Sequence, residues 1–74
     1  MPPLPVISGR ECIAALEKIG YRVLRQKGSH VRLVCRGRLS VTVPLHHTLD
    51  RGTLRSIIRA TELSVDEFVA WLGR

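Results

Sequence analysis

Residues 30–35 read HVRLVC and residues 39–43 read LSVTV. Both alternate. Val31, Leu33 and Cys35 fall on one side of the first run, with His30, Arg32 and Val34 on the other. Leu39, Val41 and Val43 stand opposite Ser40 and Thr42. A period of two is the signature of a strand with one buried face. A third run, YRVLRQ (21–26), precedes them and carries Tyr21, Val23 and Leu24. Gly28 and the Arg36-Gly37-Arg38 triplet mark the two turns. The expected unit is an antiparallel meander with one apolar face and one polar, basic face, a normal arrangement for this topology.

Helical patterns flank the meander. Ser8-Gly9-Arg10-Glu11 fits a capping box, in which the serine oxygen takes an orphan backbone N–H and the glutamate reaches back. The helix that follows carries Cys12, Ile13, Leu16 and Ile19 on one stripe, and Gly20 sits where a left-handed residue would stop it. After Pro44, which ends the third strand, LHHTLDRG (45–52) reads as a loop. From Thr53 the spacing is helical again, with Leu54, Ile57 and Ile58 on one side and Arg51, Arg55 and Arg59 spaced by four. Ser64-Val65-Asp66-Glu67 is a second capping box. It opens a short last helix with Val65, Phe68, Val69 and Leu72 inward. The expected fold is α+β, in the order α-β-β-β-α with an extra short C-terminal helix and a three-stranded antiparallel sheet. That order with a basic rim is the layout of the double-stranded-RNA-binding fold, which reads A-form shape through phosphates and 2′-hydroxyls. With one Trp, one Tyr and one Phe, a stacking platform for single-stranded bases is not expected.

The totals narrow the function. A chain of 74 residues predicts one domain over 1–74, with residues 1–7, which hold three of the four prolines, as an extended arm. A domain of this size buries only about 60% of its unfolded surface, so its chemistry is expected on a shallow face that suits a large substrate. The net charge is +6. From Lys18 to Arg59 there are ten basic residues and one acid, Asp50, whereas from Ala60 onward three acids face one base, Arg74. A basic middle beside a near-neutral end predicts a polyanion-binding face and a separate structural segment. MPPLPVIS (1–8) lacks the charged and apolar regions of a signal peptide, and no stretch is apolar enough to span a membrane. Cys12 and Cys35 sit in apolar patterns and are expected as small buried thiols, consistent with a reducing cytoplasm. With no Cys-x-x-Cys and no His-x-x-x-His, neither a metal site nor a cofactor is expected.

His30 is the expected chemical centre. By parity it projects with Arg32 from the polar face, with Arg25 and Lys27 on the same hairpin and Gly28 at its turn. RNA carries its own nucleophile, the ribose 2′-hydroxyl. A protein that promotes attack on the adjacent 3′-phosphate needs one acid–base group titrating near neutrality and positive charge for the phosphorane. An imidazole ordinarily titrates near 6.5, and one positioned acid–base group contributes roughly 10²–10⁴ in rate. Ser29 fits either a phosphate hydrogen bond or the turn itself. His46 or His47 would supply a second acid–base partner, or either is a loop histidine packed on the hairpin. Thr53 lies near a helix start where N–H groups bind phosphate, but Asp50 would cap that start and repel an anion. Arg51 and Arg55 are the better phosphate contacts on that helix.

Three segments also resemble a known family. ALEKIGYRVLRQKGSHVRL (15–33), VTVPLHHTLDRGTLRSIIR (41–59) and LSVDEF (63–68) resemble the HicA toxins, or YcfA-like proteins, of bacterial and archaeal toxin–antitoxin systems. The diagnostic features are Gly-Ser-His, Pro-x-His and Gly-Thr-Leu-Arg-Ser-Ile in this order and spacing. The resemblance implies an RNA-binding α-β-β-β-α fold and ribosome-independent mRNA cleavage that arrests growth. It also implies an antitoxin partner, HicB, which sequesters the toxin and represses the operon with it. The family's catalytic histidine falls on His30, and its Pro-x-His histidine on His46, which leaves His47 as a variable position. RATELS (59–64) departs from the family, whose members usually carry a Gln-Ala-Gly run there. The loss of that glycine alters the turn between the last two helices.

The expected protein is thus a cytoplasmic, metal-independent endoribonuclease toxin. His30 acts as acid–base residue, and Lys27, Ser29, Arg32, Arg25, Arg51 and Arg55 bind RNA phosphates, with support from Gly28, His46 and Thr53. The alternatives are a non-catalytic double-stranded-RNA-binding module and, in a third class, a subunit whose basic face meets only an acidic protein. Phosphate-driven binding weakens log-linearly with salt, which separates RNA binders from the last.

Overall fold

The computed structural model describes residues 3–73. Met1 and Pro2, which begin the expected arm, and the terminal base Arg74 lie outside the described residues. The order is α1 (Gly9–Ile19), β1 (Arg22–Lys27), β2 (His30–Val34), β3 (Val41–Pro44), α2 (Arg51–Thr61) and α3 (Val65–Ala70). The strands form one antiparallel sheet in the order β1-β2-β3. The expected α+β class and α-β-β-β-α-α order are both present.

The caps act as the sequence indicates. Ser8 Oγ accepts from the Glu11 N–H at 3.1 Å, and Glu11 Oε1 accepts from the Ser8 N–H at 3.1 Å. Gly20, at φ 129°, ends α1. Ser64 and Glu67 repeat the reciprocal pair at the start of α3. The N–H bond that Glu67 accepts from the Ser64 backbone holds its carboxyl below the usual carboxylate range. Helix α2 starts at Arg51, two residues before the expected Thr53. Asp50 Oδ2 accepts from the N–H groups of Gly52 (3.1 Å) and Thr53 (3.3 Å), so the first turn closes even through a glycine.

Both α1 and α2 pack against β3, and the core lies beneath β2 and β3. Val31, Leu33, Val41 and Val43 point into it, where they meet Leu16, Leu54 and Phe68. The N-terminal segment has no regular structure, as expected of an arm, but it is docked: Leu4 and Ile7 are buried in the same core. The Ile7 carbonyl accepts from the Leu49 N–H at 2.8 Å.

Three apolar residues of the strand-like runs are exposed. Strand β1 is exposed along its whole length, with Val23 at 44% and Leu24 at 47%. The pairing register shifts between Val23 and Arg25, which breaks the alternation on this edge strand. Leu39, expected on the core face, is 71% exposed because β3 begins only at Val41. The fold uses the backbone of Leu39 instead: its carbonyl accepts from the buried Tyr21 hydroxyl at 2.8 Å. Arg38 beside it donates to the Thr61 carbonyl at the end of α2. Both thiols are free. Cys12 is fully buried and its pKa is pushed up to about 12 by desolvation, whereas Cys35 is only half-buried.

The turn after α2 shows what the missing glycine does. Glu62 occupies the left-handed conformation at φ 64°, and its N–H reaches the Arg59 carbonyl. The left-handed region costs a side-chain-bearing residue roughly 1–2 kcal/mol, and glycine gives back about 0.5–1 kcal/mol in unfolded-state entropy. Glu62→Gly is therefore expected to stabilise the fold by about 0.5–1 kcal/mol. A urea titration should show a raised midpoint at unchanged slope, and an unchanged or lowered midpoint would contradict the strain.

Candidate functional site

The β1–β2 hairpin closes through a two-residue turn, Gly28-Ser29, between the paired Lys27 and His30. Gly28 has φ 60°, a value glycine adopts at no cost, and a Cβ there would meet nothing within 4 Å. The glycine thus serves the turn. The Gln26 amide donates to its carbonyl at 2.9 Å and steadies the tip.

Residues directly opposite each other in an antiparallel pair share a face. The register therefore sets two rows across the open side of the sheet. One is Lys27, His30 and the buried Pro44; the other is Arg25, Arg32 and Thr42. His30 is exposed at the head of β2. Arg32 Nη1 donates to Thr42 Oγ1 at 2.9 Å, which orients its guanidinium along the sheet. Arg25 and Arg32 are like charges directly opposite each other, an arrangement that destabilises a sheet unless an anion joins it. No carboxylate occurs in the chain between Lys18 and Asp50.

The tip is tied to the segment after β3. The Leu45 N–H donates to the Ser29 carbonyl at 2.7 Å, and the Gly9 N–H donates to the His46 carbonyl at 2.9 Å. Gly-Ser-His and Pro-x-His, sixteen positions apart in sequence, are thereby adjacent in space. The imidazoles of His46 and His47 are exposed and border a recess with Ser8 and Arg10 at the start of α1.

The other expected contacts divide. Thr53 lies in a cleft with Arg32 and Thr42, but its N–H and that of Gly52 are taken by Asp50. Arg51 is exposed in the first turn of α2. Arg55 lines a different groove, with Leu4 and Val65, and the structure does not bring it to Arg32. Two residues escaped the sequence reading. Gly9 is buried, and a Cβ there would overlap the Pro44 carbonyl oxygen. The only sequence signal for it is a glycine just inside a helix start. Thr42 was legible as a polar-face residue, but its contact with Arg32 depends on the β2–β3 register. Among the described residues, no group of three or more His, Cys, Asp and Glu side chains could hold a metal ion, and no helix is long and apolar enough to cross a membrane.

Comparison with known proteins decides the family. A family model described as the HicA toxin of bacterial toxin–antitoxin matches residues 9–63. The chain belongs to the HicA toxin family. A solved toxin–antitoxin complex from Streptococcus pneumoniae contains a chain similar to this HicA chain, with a TM-score of 0.66 and 29% identity. The match covers 77% of this chain and 98% of that one. No curated protein sequence matches the chain. The matched HicA region spans both the hairpin tip and the Pro44–His46 segment.

Gly9 carries a test of this geometry. Gly9→Ala should cost about 1–3 kcal/mol, the range for forced overpacking, because the obstructing atom is backbone. It should also shift the NMR resonances of His46 and His47. An unperturbed spectrum and melting curve would show that α1 and the histidine loop are not in the close contact described.

Proposed function

We propose that this HicA chain forms one domain over residues 1–74 and is a metal-independent endoribonuclease with His30 as its acid–base residue. The observation that supports the reading best is an exposed histidine in register with Lys27, one row from the opposed Arg25 and Arg32, on a sheet face without carboxylates. The arrangement suits a phosphodiester, since cations face where charge develops and the substrate supplies its own nucleophile. Neutral His30 takes the 2′-hydroxyl proton, the O2′–P bond forms and the P–O5′ bond breaks. The leaving 5′-oxygen takes a proton from water or from His46. Lys27, Ser29, Arg25 and Arg32 hold the phosphate, and Arg51 and Arg55 meet the RNA further along its backbone. Cleavage of mRNA in the cytoplasm would arrest translation until an antitoxin of the HicB type covers the His30 face.

A second reading has a specific observation in its favour. The same face is rich in cations and hydroxyls, and the element order is that of a double-stranded-RNA binder, so a module that grips RNA without cutting would need nothing more. End-group chemistry separates the two. Purified protein incubated with RNA in EDTA should yield 2′,3′-cyclic phosphates and 5′-hydroxyls, and a single 2′-deoxy substitution at the cut site should abolish that cut. Products ending in 3′-hydroxyl would overturn the mechanism, and intact RNA would leave the binding module.

A further inference from the structure

We propose that the cleft between β3 and α2 is a second RNA subsite, which holds the phosphodiester one nucleotide from the scissile one; the inference rests on the reading of His30 as the cleavage site. The cleft has a volume of about 480 Å³. Arg32, Ser40 and Thr42 line it on the strand side, and Thr53, Ser56 and Arg59 on the helix side. Two guanidinium groups and four hydroxyls converge there, and no carboxylate is among the lining residues. Its apolar part comes from the buried Val41, Ile57 and Ala60 and from the exposed Leu39.

That chemistry fits one repeating unit of a nucleic acid. Guanidinium forks match phosphate oxygens, and hydroxyls satisfy either phosphate or ribose. The cleft also continues the polar face. Arg32 belongs to both, because it stands two residues from His30 on the same face, about 7 Å along the strand, and borders the cleft. Its bond to Thr42 fixes one N–H and leaves the remaining donors for a ligand. Arg59 is exposed in the last turn of α2 and is outside the residues assigned to cleavage. Arg38 does not line the cleft, and its guanidinium donates instead to the Thr61 carbonyl. A chain threaded from the hairpin tip past Arg32 therefore meets Ser56 and Arg59 next.

The test uses the full chain carrying His30→Ala, so that RNA survives, and a fluorescein-labelled unstructured RNA octamer. Binding is measured by anisotropy over a salt series, after melting curves confirm folding. Arg59→Gln and Ser56→Asp, which places a carboxylate in the cleft, should each weaken binding about tenfold. Arg59→Gln should also flatten the salt dependence by about 0.7 in slope, the value for one phosphate contact on a single strand. Lys18→Gln, on α1, removes one positive charge from a residue that does not line the cleft and serves as the control. Either cleft variant behaving like Lys18→Gln overturns the proposal, including the case in which only a protein partner uses the cleft. If Arg59 controls RNA binding as expected but the unmutated protein cuts nothing, the cleft is an RNA contact but no phosphodiester is scissile, so the nuclease reading falls and with it the placement of the cleft one nucleotide from a cut. If the protein cuts RNA while the cleft variants match the control, the nuclease reading stands and the subsite falls. If the parent binds no RNA at all, both fall.

Discussion

One backbone hydrogen bond organises the hairpin end of the molecule: the Leu45 N–H to the Ser29 carbonyl, 2.7 Å long. It ties the tip of the first hairpin to the segment that leaves the third strand, and it closes the row in which His30 stands beside Lys27 and Pro44. A hairpin tip alone would fray into solvent. Here it is held by its own register, by the Gln26 amide and by a loop that is itself anchored through the His46 carbonyl on Gly9. The Gly9 contact requires a glycine, because any side chain would collide with the Pro44 carbonyl. The position of His30 thus depends on a helix start, a strand end and a turn that are far apart in sequence.

The electrostatics follow from the same frame. The sheet buries Val31, Leu33, Val41 and Val43, and alternation then forces His30, Arg32 and Thr42 to the open side. Arg25 directly opposite Arg32 is an arrangement that folding alone disfavours. A face that keeps such a pair without carboxylates is complementary to an anion with repeated charges. This is the physical content that membership in the HicA toxin family gains from the structure.

Much of this was legible in the sequence because it is local. Two capping boxes, the glycine stop after α1 and the two alternating runs each state their structure within a few residues. His30 and Arg32 were legible for the same reason, since parity places them, and Lys27 was legible from its place on the same hairpin. The misreadings have long-range causes. Leu39 matches the alternation of the third run, yet its strand starts later because Tyr21 and Arg38 hold the turn by its backbone and by the end of α2. Val23 and Leu24 look like core residues, but a register shift on an edge strand leaves them exposed. Leu4 and Ile7 look like an arm and are part of the core. The separation of Arg55 from Arg32, and the meeting of Thr53, Ser56 and Arg59 with the third strand, depend on how α2 lies against β3.

The central claim is that the tip histidine performs chemistry rather than only gripping RNA. The most direct measurement compares the wild type and His30→Ala, in EDTA, for RNA cleavage and RNA affinity in parallel. Cleavage by the wild type, with a loss of at least about 10²-fold in the variant at unchanged affinity, is the expected result. Equal cleavage by both proteins, or equal binding with no cleavage by either, would contradict it.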